Sequence, residues 1–235
     1  MKRAPWAPEL IDAHGNDADV LSASLHDVAH ANDWFGGTRS LRRSLLPFLD
    51  APEITLLDIG TGSGETLRDL ERWIEAGGRV AHTVALDSHP DVLAIARRRV
   101  PGLTLAGGDM RALPFADRSF DVVLATLVLH HLPDALQVDA LRELARVARR
   151  AVLVAELERA PLHWLGARIL AGTIWRGNPL TRHDGPVSVR RGYTPGELVG
   201  CAARAGLPGR VRRFFLYRLV LTLDVTDGAV PAGNR

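Results

Sequence analysis

Between residues 58 and 65 the chain reads Asp58-Ile59-Gly60-Thr61-Gly62-Ser63-Gly64-Glu65. Glycines are required where φ is positive or where a ligand must touch the backbone. The spacing is G-x-G-x-G, which differs from the G-x-G-x-x-G of dinucleotide binders. A carboxylate, Asp58, stands immediately before the loop. It would repel a pyrophosphate at the helix N-terminus, but it suits a ligand with an ammonium group. Asp87 follows 23 residues after Gly64. A carboxylate there can accept from both ribose hydroxyls. It could instead cap the helix that starts near Pro90, a task equally open to Ser88. Next comes Gly107-Gly108-Asp109-Met110. Here Asp109 can accept from an adenine amino group and Met110 can pack on the ring, unless the stretch is a plain turn.

A small molecule with an ammonium, a ribose and an adenine but no phosphate is S-adenosylmethionine (SAM). Its methyl carbon is already activated by sulfonium. Transfer is an in-line displacement in which alignment alone can supply about 7–11 kcal/mol. A general base is needed only if the acceptor must lose a proton. His130 and His131 are the candidates for that role, because imidazole titrates in the useful range. Either could instead cap a loop or pack on the cofactor. His183-Asp184, in the segment TRHDGP, is a further candidate for the acceptor side. Trp164 and Trp175 are readable as packing or as an aromatic acceptor wall. His26, Asp27 and His30 would share one helix face, but two histidines without a third ligand make a solvated face, and no metal is expected. The single cysteine, Cys201, excludes a multi-Cys zinc site and reads as a small buried apolar residue.

These residues need a scaffold that brings their loops together. Residues 54–58, 80–87, 103–106, 120–130 and 151–156 are apolar runs that read as strands. Residues 65–76, 90–99 and 134–149 read as helices between them, with Pro90 in a first turn. Continuous apolar strands alternating with amphipathic helices imply a parallel sheet covered on both faces. The ligand crevice then lies beyond the carboxyl ends of the strands, at the switch in strand order. Residues 20–49 read as two helices broken at Gly36-Gly37, after a loose stretch over 1–19. Residues 158–191 read as irregular, 194–206 as a helix and 211–223 as a closing hairpin. The expected organisation is a helical cap or lid over 1–50, a SAM-binding core over 51–156, a lid insertion over 157–192, and the closing helix and strands over 193–235. The two flanking stretches are expected to enclose an apolar acceptor pocket.

The chain has 235 residues, 46% hydrophobic and 24% charged, which describes an ordered globular protein. Its formal charge is +2, from 29 basic and 27 acidic groups, so nucleic acid is not implied as a partner. The first residues turn polar without an apolar h-region, so no signal peptide is expected. No apolar run reaches the about 18 residues of a membrane span. A cytoplasmic protein acting on a small molecule is the expectation, with its oligomeric state open.

The stretch from Leu56 to Glu156 resembles the core of class I SAM-dependent methyltransferases. The segment GGDMRALPFADRSFDVVLATLVLHHLPD is similar to the branch that includes the quinone C-methyltransferases. That resemblance implies a seven-stranded, mostly parallel, doubly wound α/β fold. It implies that Gly60, Thr61, Gly62 and Gly64 cradle the methionine moiety, with Asp58 beside them. Asp87 and Ser88 would serve the ribose, Asp109 and Met110 the adenine, and Thr126 would line the cofactor pocket. The segments TRHDGPVSVRRGYTPGEL and ELID…LHDVAHAN resemble bacterial methyltransferases of secondary or lipid metabolism, relatives of which accompany type III polyketide synthases. This implies phenolic, quinonoid or lipidic acceptors methylated at O or C. The competing readings are a nicotinamide-dependent oxidoreductase, which the loop spacing and Asp58 oppose, and a SAM-binding protein without catalysis. A third is an RNA or protein methyltransferase; the missing basic stripe and appended binding module oppose RNA, as does the lack of an Asn-Pro-Pro-Tyr-type loop after the fourth strand.

Overall fold

The structure is a computed structural model and describes residues 1–226. Seven strands form one sheet: β1 (Glu53–Ile59), β2 (Val80–Asp87), β3 (Leu105–Gly107), β4 (Phe120–Thr126), β5 (Ala148–Leu157), β6 (Gly209–Phe214) and β7 (Arg218–Asp224). Their order is β3-β2-β1-β4-β5-β7-β6. β1 runs parallel to both β2 and β4, and β5 is parallel to β4. Only the closing hairpin breaks the pattern, with β7 antiparallel to β5 and to β6. Strand order therefore reverses between β1 and β4. That is where the carboxyl ends of neighbouring strands diverge and leave a crevice.

Both faces of the sheet are covered, which explains the unbroken apolar runs. Leu57, Ile59, Val123, Val152 and Val154 pack with α5 (Asp134–Val147) and α8 (Pro195–Arg204). Ile54, Leu56, Val122 and Leu153 pack on the other face with Leu67, Leu70 and Ile74 of α3 (Glu65–Ala76). In α3 those three form a stripe at helical spacing. α4 (Pro90–Arg99) begins with proline and ends in Arg97, Arg98 and Arg99, cations placed at the negative end of the helix dipole. Thr194 and Glu197 close a reciprocal capping box on α8. Among the described residues, no helix is long and apolar enough to cross a membrane.

Three expectations need correction. The stretch 158–191 is not irregular: it holds α6 (Pro161–Gly172) and α7 (Pro179–Arg191). Gly185-Pro186 signals a turn in the sequence but lies inside α7. The helix uses the bare glycine as a seat for Trp175, since a Cβ there would come within 2.7 Å of the indole. Residues 1–19 are not loose. Ala4 N–H donates to Arg190 O, and the Leu10 and Ile11 amides donate to the Asp184 carboxylate at 2.8 and 2.9 Å. Finally, the two N-terminal helices do not share one role. α1 (Ala18–Trp34) packs on α4 and α7 through Leu21, Leu25, Val92, Ile95 and Leu180, over the carboxyl ends of the strands. α2 (Gly37–Leu45) instead buries Leu41 and Leu45 fully, packing on β5, β7 and α3, so it belongs to the core and not to a lid.

This division is measurable. Leu41→Ala is expected to lower unfolding free energy by about 2–5 kcal/mol, the range for a leucine truncated in a packed core. Chemical denaturation reads it directly; a loss below about 0.5 kcal/mol, usual for surface positions, would return α2 to the lid.

Candidate active site

The glycine loop joins β1 to α3, and its shape follows from backbone sterics. Gly60, Gly62 and Gly64 all have positive φ, at 66°, 57° and 78°. The Gly60 and Thr61 amides donate to Leu86 O at 2.8 and 3.1 Å, which ties the loop to the end of β2. At Gly60 a Cβ would stand 2.4 Å from Val128, so no side chain fits there. Gly62 has room, its nearest neighbour being Leu25 at 3.5 Å, and the left-handed backbone is what selects glycine. Gly64 differs from the expectation. It caps α3 and packs towards Leu103, where a Cβ would come within 2.8 Å, and it does not line the cavity. It is a packing glycine.

The loop opens into a cavity of about 850 Å³ that reaches the carboxyl ends of β1, β2, β4 and β5. Asp58, Gly60, Thr61, Gly62, Asp87, Ser88, Asp109, Met110, Thr126, His130 and His131 all line it. Asp58 is buried, and burial lifts its carboxyl to about 7. Burial also raises Asp87, while amides hold its oxygens: His89 N–H donates to Oδ1 at 3.0 Å and Gly62 N–H to Oδ2 at 3.3 Å. Neither Asp87 nor Ser88 caps α4, whose N-cap position is His89 with no side-chain bond. Asp109 is paired with Arg111, which holds its carboxyl below the usual range. Met110 is buried in the core cluster beneath β2 and β4. The Thr61 and Thr126 hydroxyls are buried without a hydrogen-bond partner.

The two histidines sit in a carboxylate network. His130 Nδ1 is 2.6 Å from Glu156 Oε2, and its backbone N–H donates to Glu156 Oε1 at 3.2 Å. His131 Nδ1 lies 2.8 Å from Asp12 Oδ1. Both Nε2 atoms stand 3.6 Å from the buried Glu9 carboxylate. Against the downward pull of burial, Glu9 and Asp12 lift His131 to about 9. Glu9, His130 and His131 bring their ligand atoms within 4.8 Å of one another, but Arg191 Nε, also 3.6 Å from Glu9, supplies positive charge there. The group is an ion-pair network.

Other expectations divide. Trp175 lines the cavity, whereas Trp164 packs on Leu157, Ala167 and Val189. His183 pairs with Asp184 at 2.7 Å and lies outside the cavity lining, so it is not a polar group of the pocket. His26 pairs with Glu65 at 3.0 Å and its ring lies 4.1 Å from that of His30. Sequence reasoning missed Glu9, Asp12, Asn32, His89 and Arg218, all of which line the cavity, together with Glu156 behind it. Glu156 alone had a signal: like Asp58, it is an acid near the end of an apolar strand.

Residues 56–151 match the family model described as a methyltransferase domain. Over 214 residues the chain is 32% identical to a 37.1 kDa protein in transposon TN4556 of Streptomyces fradiae, covering 86% of this chain and 60% of that one. Over 138 residues it is 34% identical to a demethylmenaquinone methyltransferase of Renibacterium salmoninarum, covering 56% and 55%. The chain thus spans less than two thirds of the length of either relative. Its fold is similar to that of the plantazolicin methyltransferase BpumL in complex with SAH, with TM-score 0.66 and 12% identity over 91% of this chain and 92% of that one.

Asp58 generates a prediction with a definite sign. A carboxyl raised from 3.8 to about 7 in the folded state binds more protons than in the unfolded chain between those values. Stability of the ligand-free protein should therefore fall as pH rises from about 4 to 7, then level off. Asp87, raised by the same cause, adds a slope of the same sign. Asp58→Asn should melt near the wild type at pH 5 and above it at pH 8. Equal melting at both values would mean that Asp58 is not held protonated.

Proposed function

We propose that this chain, whose residues 56–151 match a methyltransferase-domain model, is a class I SAM-dependent methyltransferase that transfers a methyl group to an oxygen or carbon atom of a small quinonoid or phenolic acceptor. One observation carries this reading. Two carboxylates with no cation paired to them, the buried Asp58 and the half-buried Asp87, flank a glycine loop on a cavity of about 850 Å³. The likeness to demethylmenaquinone methyltransferase supports the quinonoid class.

SAM supplies a methyl carbon activated by sulfonium. The chain's own residues fit that molecule. Asp58 would hold the cationic amino end, which offsets the cost of burying the carboxylate. Asp87, already oriented by the Gly62 and His89 amides, would accept from the ribose hydroxyls. The unpartnered hydroxyls of Thr61 and Thr126 offer further polar contacts. Met110 would pack on the adenine, and Asp109 reaches it only by sharing its carboxylate with Arg111. α1, α6 and α7 would exclude water from the acceptor side.

The two histidines differ as candidate bases. Glu9 and Asp12 lift His131 to about 9, so it is a poor proton acceptor at neutral pH and its charge is matched by those two carboxylates. His130 is held on Glu156 through Nδ1 and leaves Nε2 without a hydrogen-bond partner, so it would be the base if the acceptor must lose a proton.

Calorimetry with SAM and with S-adenosylhomocysteine (SAH) tests the reading. Both should bind, and NADH should not. Gly62→Val should abolish binding, because a β-branched residue resists the left-handed backbone, while the fold persists by circular dichroism. Asp87→Ala should weaken binding by about 1.5–3 kcal/mol, the range for hydrogen bonds to a charged group. Binding of NADH in place of SAM would overturn the proposal. The acceptor class is then read by which quinone or phenol takes label from methyl-labelled SAM.

A further inference from the structure

Two side chains that line the cavity, Arg218 and Asn32, carry buried donors without acceptors. Arg218 opens β7 and is buried at 5% exposure. Burial lowers its guanidinium to about 10, which still leaves it charged at neutral pH. Its Nη2 donates to Ala31 O at 3.3 Å, but Nε and Nη1 have no partner. Of the two acids flanking its strand partner Leu157, Glu156 attracts the guanidinium but is hydrogen-bonded to His130, and Glu158 is paired with Arg213; neither is within ion-pair distance of Arg218. Asn32, next to Ala31 on α1, is equally buried, and its Nδ2 also lacks a partner. A buried cation and a buried amide donor, both unsatisfied, are costly unless something else completes them.

A second observation points to the same part of the cavity. Leu216 and Tyr217, in the turn before Arg218, and Leu127 after β4 are non-glycine residues with φ of 57°, 59° and 54°. All three line the cavity. Left-handed backbone at bulky residues is strained, and such strain collects at binding sites. Here it presents the Tyr217 ring flat against His163, with centroids 5.0 Å apart and planes 10° apart. His163 itself stays neutral, its value lowered by burial, so it brings no competing charge.

We propose that Arg218 and Asn32 form an anion subsite that receives the carboxylate or phenolate oxygen of an aromatic acceptor, whose ring lies beside Tyr217 and His163. The subsite deepens the methyl-transfer reading by naming the charge of the acceptor, and the binding it describes requires no transfer. An acceptor held in this way enters already ionised, so its transfer would need no base. The single contact to Ala31 O leaves the three N–H groups of Nε and Nη1 without an acceptor. Those suit an oxygen anion better than a neutral carbonyl, because charge-assisted bonds are about twice as strong.

Benzoate and its neutral isostere benzamide are the probes, titrated into wild type and Arg218→Met with and without SAH. Wild type should bind benzoate about tenfold or more tightly than benzamide, and Arg218→Met should lose that preference. Because an unpaired buried charge is removed, the variant should melt at or above the wild type without ligand. SAH binding measured in the same samples is a separate control. Its loss in wild type would refute the methyl-transfer reading and leave the benzoate preference to stand on its own. Equal affinity of wild type for the two probes would overturn the subsite. So would an Arg218→Met protein that melts lower and keeps the preference, since Arg218 would then be scaffolding.

Discussion

The carboxylate of Asp58 is buried at the end of the central strand with no cation beside it, and the surrounding structure is organised about that fact. β1 has to enter the core on both faces, and its last polar residue therefore ends up out of water. Burial holds the carboxyl protonated up to about 7. The loop that follows relieves this only in part: the Gly60 and Thr61 amides go to Leu86 and the Gly62 amide to Asp87, and the Thr61 side chain alone works against the rise. The relief has to come from the cavity. A ligand that brings an ammonium restores the ionised form, and one that brings a pyrophosphate makes matters worse. On the proposed reading, the same strand end would select the chemistry of the cofactor before any acceptor is considered.

The acceptor side is built from segments that are remote in sequence. The turn at Leu10–Asp12 lays Glu9 and Asp12 against His130 and His131, and Arg191 of α7 ties the N-terminal strap to the same network. Asp184 holds that strap by two backbone amides. His131 and Arg191 are matched there by the Glu9 and Asp12 carboxylates and His130 by Glu156, so that network carries no clear excess of either sign. On the proposed reading, the unpartnered Nε and Nη1 of Arg218 are what an acceptor of negative character would meet, while Asp58 and Asp87 lie at the cofactor end.

Much of the scaffold was legible because its signals are local. β1, β2, α3 and α4 fall within a residue or two of their expected bounds, since buried parallel strands and amphipathic helices carry their periodicity in the sequence. Gly60, Gly62 and Asp87 were legible for the same reason: backbone conformation and strand-end position fix their type. Gly64 matched the pattern for a different cause, helix packing against Leu103. α6 and α7 were obscured by Gly185 and Pro186, whose turn-like character tertiary packing overrides. α2 was mistaken for a cap because an amphipathic helix does not say which apolar surface it will meet. Glu9, Asp12 and Arg218 had no readable signal, as single charged residues gain meaning only from partners more than a hundred positions away or from the lack of one.

The most direct test of the account counts protons. Titration calorimetry of SAM at pH 6, in two buffers of different ionisation enthalpy, measures the protons exchanged on binding. With the Asp58 carboxyl near 7 in the free protein and ionised against the cofactor's ammonium, about one proton should be released for each SAM bound. The release should vanish in Asp58→Asn. Binding of SAM without proton release, or with release unchanged in that variant, would contradict the claim that a buried carboxylate selects the cofactor.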